Sequence, residues 1–149
     1  MELRSVEELM DLLHACRGTW DARQRAGDRV DLHEHALRTA ALLRRSRPAD
    51  KELQVAGLVR PIGRLLWPGD TAGHDDRTAD AVRGLLGERV ARLIRRHSRL
   101  GTPVDDDLVS LRQAEEEGRS AGFDAGVLED WRTVLELVAA RNSRLGAVD

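Results

Sequence analysis

Three histidines and one glutamate hold most of the reactive chemistry in this chain. His35, His74, His97 and Glu115 each recur at helical spacing with apolar residues, so each is expected to point inward from a different helix. A single inward histidine is more often a hydrogen-bonded core residue than a ligand. Three of them with a carboxylate on converging helices is how metal sites are built inside helical folds. Imidazole with carboxylate suits iron, zinc or manganese, and the same imidazoles can act as general acids or bases. Arg60 adds a fixed positive charge at the end of the apolar run Leu53, Val55, Ala56, Leu58 and Val59, directly before Pro61. Burying that charge requires a partner, with Glu115 or an anionic ligand as the candidates, and the alternative is that Arg60 turns outward or pairs with any nearby carboxylate. The candidate catalytic groups are therefore His35, His74, His97 and Arg60, and the candidate ligand-binding groups are Arg60, Arg64 and Glu115. His14 and His33 lie off the main apolar stripes and are expected to be solvated. Cys16, in step with Leu9, Leu12 and Leu13, reads as a small core residue and is given no chemistry.

Positioning these groups takes about seven helices. Ser5 with Glu8 forms a capping box for a helix over 6–17, and Asp31 with Glu34 forms another for the helix carrying His35. Between them GTWDARQRAGDRV reads as a polar loop anchored by Trp20. Asp50 caps the apolar helix that runs to Pro61, where the ring and the missing N–H forbid continuation, and Gly63 adds a second break. His74 begins a fourth helix that closes at Gly87. His97 ends the apolar stripe of a fifth, which Gly101 and Pro103 terminate. The aspartates 105–107 open a sixth helix carrying Glu115 as far as Gly122. Val127, Leu128, Trp131, Val134, Leu135 and Val138 then make a wide apolar face that ends near Arg141 and Asn142, more simply core than dimer surface. No stretch alternates as a strand does. The expectation is one all-α domain over residues 1–149, a helical bundle.

Composition excludes several function classes. Hydrophobic residues make up 41% and charged residues 34% of the chain, and no apolar run approaches a membrane span. The N-terminal MELRSVEELM lacks the basic and apolar blocks of a secretory signal, so a cytoplasmic protein is expected. All but Lys51 of the 24 basic residues are arginine, yet acidic residues bring the net charge to −2 and only four residues are aromatic. That combination argues against nucleic-acid binding.

The segments DLHEHALRTAALL, VAGLVRPIGRLLWPGD and HDDRTADAVRGLLGERVARLIRRH resemble the HD-domain superfamily. The likeness is closest to the branch that contains myo-inositol oxygenase and the organophosphonate-cleaving oxygenases, and it spans roughly residues 6–119. It implies a helical fold around a dinuclear metal centre, with His35, His74 and His97 where the first, third and fourth histidine ligands stand. The departures are chemical. Where that family has ALLHDIGH this chain has GLVRPIGR: Arg60 replaces a histidine, Pro61 the bridging aspartate and Arg64 the next histidine, while Glu115 stands for the final aspartate. A Lys-Arg-Tyr stretch tied to phosphonate binding is replaced around Gly101. Pro61 offers no side-chain ligand to bridge two cations, and Arg60 repels a cation nearby.

The expectation is thus an HD-like fold that has lost its dinuclear centre and keeps a His/Arg-lined pocket for a small, anionic ligand. In this reading there is no cofactor, and Arg60 serves as the electrostatic substitute for the metal. One alternative is a metal-independent isomerase, cyclase or lyase using the pocket histidines with Arg60. Another is a mononuclear oxygenase or hydrolase with one iron, zinc or manganese ion held by His35, His74, His97 or Glu115. A small molecule is the expected partner, with a protein partner as the alternative.

Overall fold

The computed structural model describes residues 1–20, 30–70, 72–97, 104–120 and 122–148, with side chains described as far as residue 144. Its helices are α1 (Val6–Ala15), α2 (Leu32–Ser46), α3 (Lys51–Val59), α4 (Ile62–Leu66), α5 (His74–Leu86), α6 (Glu88–His97), α7 (Asp106–Ser120) and α8 (Arg132–Val148). A 3-10 turn, Leu128–Trp131, leads into α8. No strand occurs among the described residues. The chain is all-α, and none of these helices is long and apolar enough to cross a membrane.

The helix starts follow from the capping residues. Ser5 Oγ accepts from the Glu8 N–H at 3.1 Å, Asp31 Oδ1 accepts from the N–H groups of His33 and Glu34, and Asp50 Oδ1 accepts from that of Leu53. Each satisfies donors that the first helical turn leaves open. Asp105, ahead of α7, does the same for Leu108. Asp31 also reaches backwards, because its other oxygen accepts from the Gly18 N–H, and close by the Leu32 N–H donates to Thr19 O. The exit of α1 and the entry of α2 are thereby tied together. Trp20, expected to anchor this region, is 44% exposed. The rest of the expected loop, 21–29, and the expected stop at Gly101 and Pro103 lie outside the described residues.

The central element is α3. Every residue from Leu53 to Val59 is buried, so this helix has no polar face and packs against α2, α6, α7 and α8. Even Gln54 is fully enclosed, its amide donating to Arg47 O at 2.9 Å. The core around it draws on Leu9, Leu13, Leu37, Leu43, Leu58, Val82, Ile94, Leu111 and Trp131. Cys16 is part of the buried interior, and burial, assisted by the nearby Asp31 charge, pushes its thiol up to about 12. It is therefore inert as a nucleophile at neutral pH.

Two elements differ from the sequence expectation. Gly63 does not break the chain: Pro61 ends α3 in a turn, and α4 restarts at once with Gly63 inside it. A Cβ on Gly63 would stand 2.6 Å from the backbone oxygen of His74, so glycine is needed there because α4 lies against the first turn of α5. Gly63→Ala is expected to lower unfolding free energy by about 1–3 kcal/mol, since backbone must move to admit the methyl group. Urea denaturation measures it, and an unchanged midpoint would show that the two helices separate freely. The last helix also differs. Val127 is extended and 56% exposed, Leu128–Trp131 forms the 3-10 turn, and α8 continues beyond Asn142 to Val148. Trp131, Leu135 and Val138 are buried, as a core-facing helix requires.

Candidate functional site

Arg60 caps the C-terminus of α3, and its guanidinium is held by carboxylates from two other helices. From α7, Glu115 Oε2 accepts from Arg60 Nη1 at 2.5 Å. From the first turn of α5, Asp75 takes the other edge: Oδ2 accepts from Nη2 at 3.1 Å and Oδ1 lies 3.0 Å from Nε. Arg60, Asp75 and Glu115 are 8%, 6% and 5% exposed. The arrangement therefore pairs one planar cation with two carboxylates away from water, the geometry for which arginine is suited and lysine is not.

The titration behaviour follows from this enclosure. Burial alone would raise the Glu115 carboxyl, but the Arg60 charge, aided by His97 and Arg64, outweighs it and holds the group well below the usual carboxylate range. Burial likewise works against the Arg60 charge, yet Glu115 and Asp75 hold it above its ordinary value. Arg60 and Glu115 thus stay ionised across the physiological range.

His97, the last residue of α6, completes the cluster. Its Nε2 is 3.0 Å from the same Glu115 oxygen that receives Arg60, at an angle short of a hydrogen bond, and neither ring nitrogen has a hydrogen-bond partner among the described residues. The other two histidines are engaged differently. His35 Nε2 lies 2.8 Å from the backbone oxygen of Glu115, and since a carbonyl only accepts, that nitrogen carries the proton. Burial lowers the His35 pKa, the Glu115 carbonyl and carboxylate oppose the shift, and Arg64 and Arg119 reinforce it. Burial first, then the Arg64 and Arg119 charges, thus favour the neutral imidazole, and Arg60 is not among the causes. His74 Nε2 donates to Trp67 O at 2.8 Å, satisfying a carbonyl at the end of α4. Arg64 is half-buried, and its charge acts on both His35 and Glu115.

The structure therefore joins Arg60, Glu115 and His97 directly, adds His35 through the α7 backbone, and sends His74 to a separate contact. Among the described residues no group of three His, Cys, Asp or Glu side chains is placed to hold a metal ion. The donor set does not fit one: a guanidinium already occupies both carboxylates, and the Nε2 atoms of His35 and His74 donate to carbonyls.

Asp75 was absent from the sequence-derived set. It sits in the first turn of α5, where acidic residues are ordinarily solvated partners of the helix dipole. The signal that could have found it is stoichiometric, because the five N–H donors of a buried guanidinium are seldom satisfied by a single carboxylate. His33 is a correction. Expected in solvent, it is 2% exposed, because its Nδ1–H donates to Leu13 O at 2.9 Å in the last turn of α1. His14, stacked on it at a centroid distance of 6.0 Å, is exposed as expected.

No family model matches the chain, and no curated protein matches its sequence.

Proposed function

We propose that this chain is a metal-free binding domain of HD-like ancestry, in which Arg60 takes the electrostatic place of a cation and a small molecule is recognised beside it. The observation that carries this reading is the closed set of Arg60 with Asp75 and Glu115 in the interior. A cation entering there would have to displace a paired guanidinium and would meet the repulsion of its fixed positive charge. The same pairing alters what Arg60 offers. Its Nη1 and Nη2 are committed to Glu115 and Asp75, whereas Nε, 3.0 Å from Asp75 Oδ1, makes no hydrogen bond among the described residues, and His97 adds ring nitrogens that no described protein group satisfies.

One observation favours a second reading. His97 stands against an ionised carboxylate with its other ring nitrogen unpartnered, which suits a general base oriented by Glu115 in a metal-independent isomerase, cyclase or lyase.

Elemental analysis of protein purified without chelators or a metal-binding tag, repeated after incubation with ferrous iron, zinc and manganese, tests the proposal. Substoichiometric metal throughout is expected. Near-stoichiometric metal that disappears in Glu115→Ala would overturn it in favour of a mononuclear centre. Arg60→His with Pro61→Asp tests the ancestry, because failure of that double variant to gain any metal affinity would remove the alignment of His35, His74 and His97 as former ligands.

A further inference from the structure

His97 is the last residue of α6, where a helix leaves its final carbonyls without intrahelical donors. Side chains of α7 and of the residue ahead of it hold this end. Arg96 Nη1 donates to Asp105 Oδ2 at 2.9 Å, and Asp105 is the residue that caps α7. From the second turn of α7 the half-buried Arg112 reaches across, its Nε and Nη2 both donating to His97 O at 3.2 and 3.1 Å. A cation is favoured at a helix C-terminus, and two donors of a rigid guanidinium plane fix the carbonyl in direction as well as in distance.

Glu115 lies one turn further along the same face of α7, with its Oε2 3.0 Å from His97 Nε2. Neighbouring side chains of one helix therefore address both parts of one histidine, Arg112 its backbone and Glu115 its ring. No described group bonds the ring from the other side, because Nδ1 is buried without a partner. The place of the ring beside Glu115 is thus set by where the His97 backbone stands. An ionised carboxylate only accepts, which favours the proton on Nε2 and leaves the lone pair on Nδ1.

We propose that Arg112 is the positioning residue of this site: by gripping His97 O it fixes the imidazole, so that Nδ1 is presented as the acceptor for a ligand's O–H or N–H. The proposal rests on the reading of His97 as a base oriented by Glu115. Arg112 acts through the backbone carbonyl and takes no part in proton transfer itself. Partners of this kind behind a functional histidine set its orientation as strongly as the group that touches the ring.

Carbon-13 relaxation of the His97 ring in the labelled full chain tests the assignment. In the wild type the ring is expected to be as rigid as ordered backbone, with an order parameter of about 0.85, and in Arg112→Ala to fall below about 0.6. Arg112→Lys, which keeps one charged donor, is expected to lie between them. Arg92→Ala, at an exposed arginine of the same helix, is expected to leave the ring unchanged. If Arg112 only caps α6, amide exchange at Arg95 and Arg96 will quicken in Arg112→Ala while the ring stays ordered, and that result overturns the proposal. A ring already mobile in the wild type, equal loss in Arg92→Ala, or a loss in Arg112→Lys as complete as in Arg112→Ala would overturn it too. Imidazole nitrogen-15 shifts separate it from the reading beneath it. A proton on Nδ1 in the wild type would remove Glu115 as the orienting group and with it the base reading, whereas ring order lost in Arg112→Ala would still assign Arg112 its role.

Discussion

Arg60→Ala is expected to lower the unfolding free energy by about 3–5 kcal/mol, the range for removing one partner from a buried ion pair. The loss comes less from missing attraction than from what remains: Asp75 and Glu115, both enclosed, would be left without the cation that neutralises them. Arg60→Met alone is expected to be nearly as damaging, because it restores volume but not charge. Combining Arg60→Met with Asp75→Leu and Glu115→Leu is expected to recover most of the loss, since an apolar cluster of similar size avoids desolvating three charges. Chemical denaturation of the three variants separates these effects. A cost below about 1 kcal/mol for Arg60→Ala would mean that the cluster is solvated in solution, as an exposed pair is.

Glu115→Gln is expected to cost less, about 2–3 kcal/mol, because a neutral oxygen can still accept from Arg60 while the charge is lost. Its distinguishing feature is pH dependence. The folded Glu115 is held below the ordinary glutamate value of 4.5, so the unfolded chain takes up the proton first on acidification. A depressed carboxylate contributes stability that is fully present above about pH 4.5 and is lost progressively as pH falls towards its folded pKa. Wild-type protein should therefore weaken steeply below that pH, and Glu115→Gln should show a flatter acid limb. Parallel acid limbs would assign the acid sensitivity to other carboxylates, such as Asp50, which Arg89 also holds below its ordinary value.

What the sequence disclosed about this molecule was mostly local. Ser5, Asp31 and Asp50 could be read as caps because their bonds reach only two or three residues ahead. The apolar run before Pro61 could be read as a central helix because no position in it tolerates water. Arg60 was legible as a buried charge in need of a partner, and Glu115 as a candidate, because both follow from helical spacing. Asp75 was not legible, since its role exists only after the start of α5 meets the end of α3. Gly63 looked like a break because close approach between helices leaves no mark beyond the glycine itself. His33 was misjudged because burial of an N-terminal helix residue depends on how the preceding helix crosses it. His74 faced inward as expected, yet its ring was taken by the carbonyl of Trp67, a choice fixed by a turn seven residues away.

The pairing of Arg60 also has a kinetic side. Its two partners lie 15 and 55 residues along the chain, on helices that must both dock before the guanidinium is enclosed. Contacts with that loop-closure cost, and with no gain until the charges leave water together, belong late in assembly. Such a cluster acts as a latch on the finished bundle and takes little part in nucleating it. Stopped-flow measurements on Arg60→Ala should then show refolding near the wild-type rate and unfolding accelerated by nearly the whole stability loss. Slowed refolding in proportion to the loss would instead place the latch among the first contacts to close.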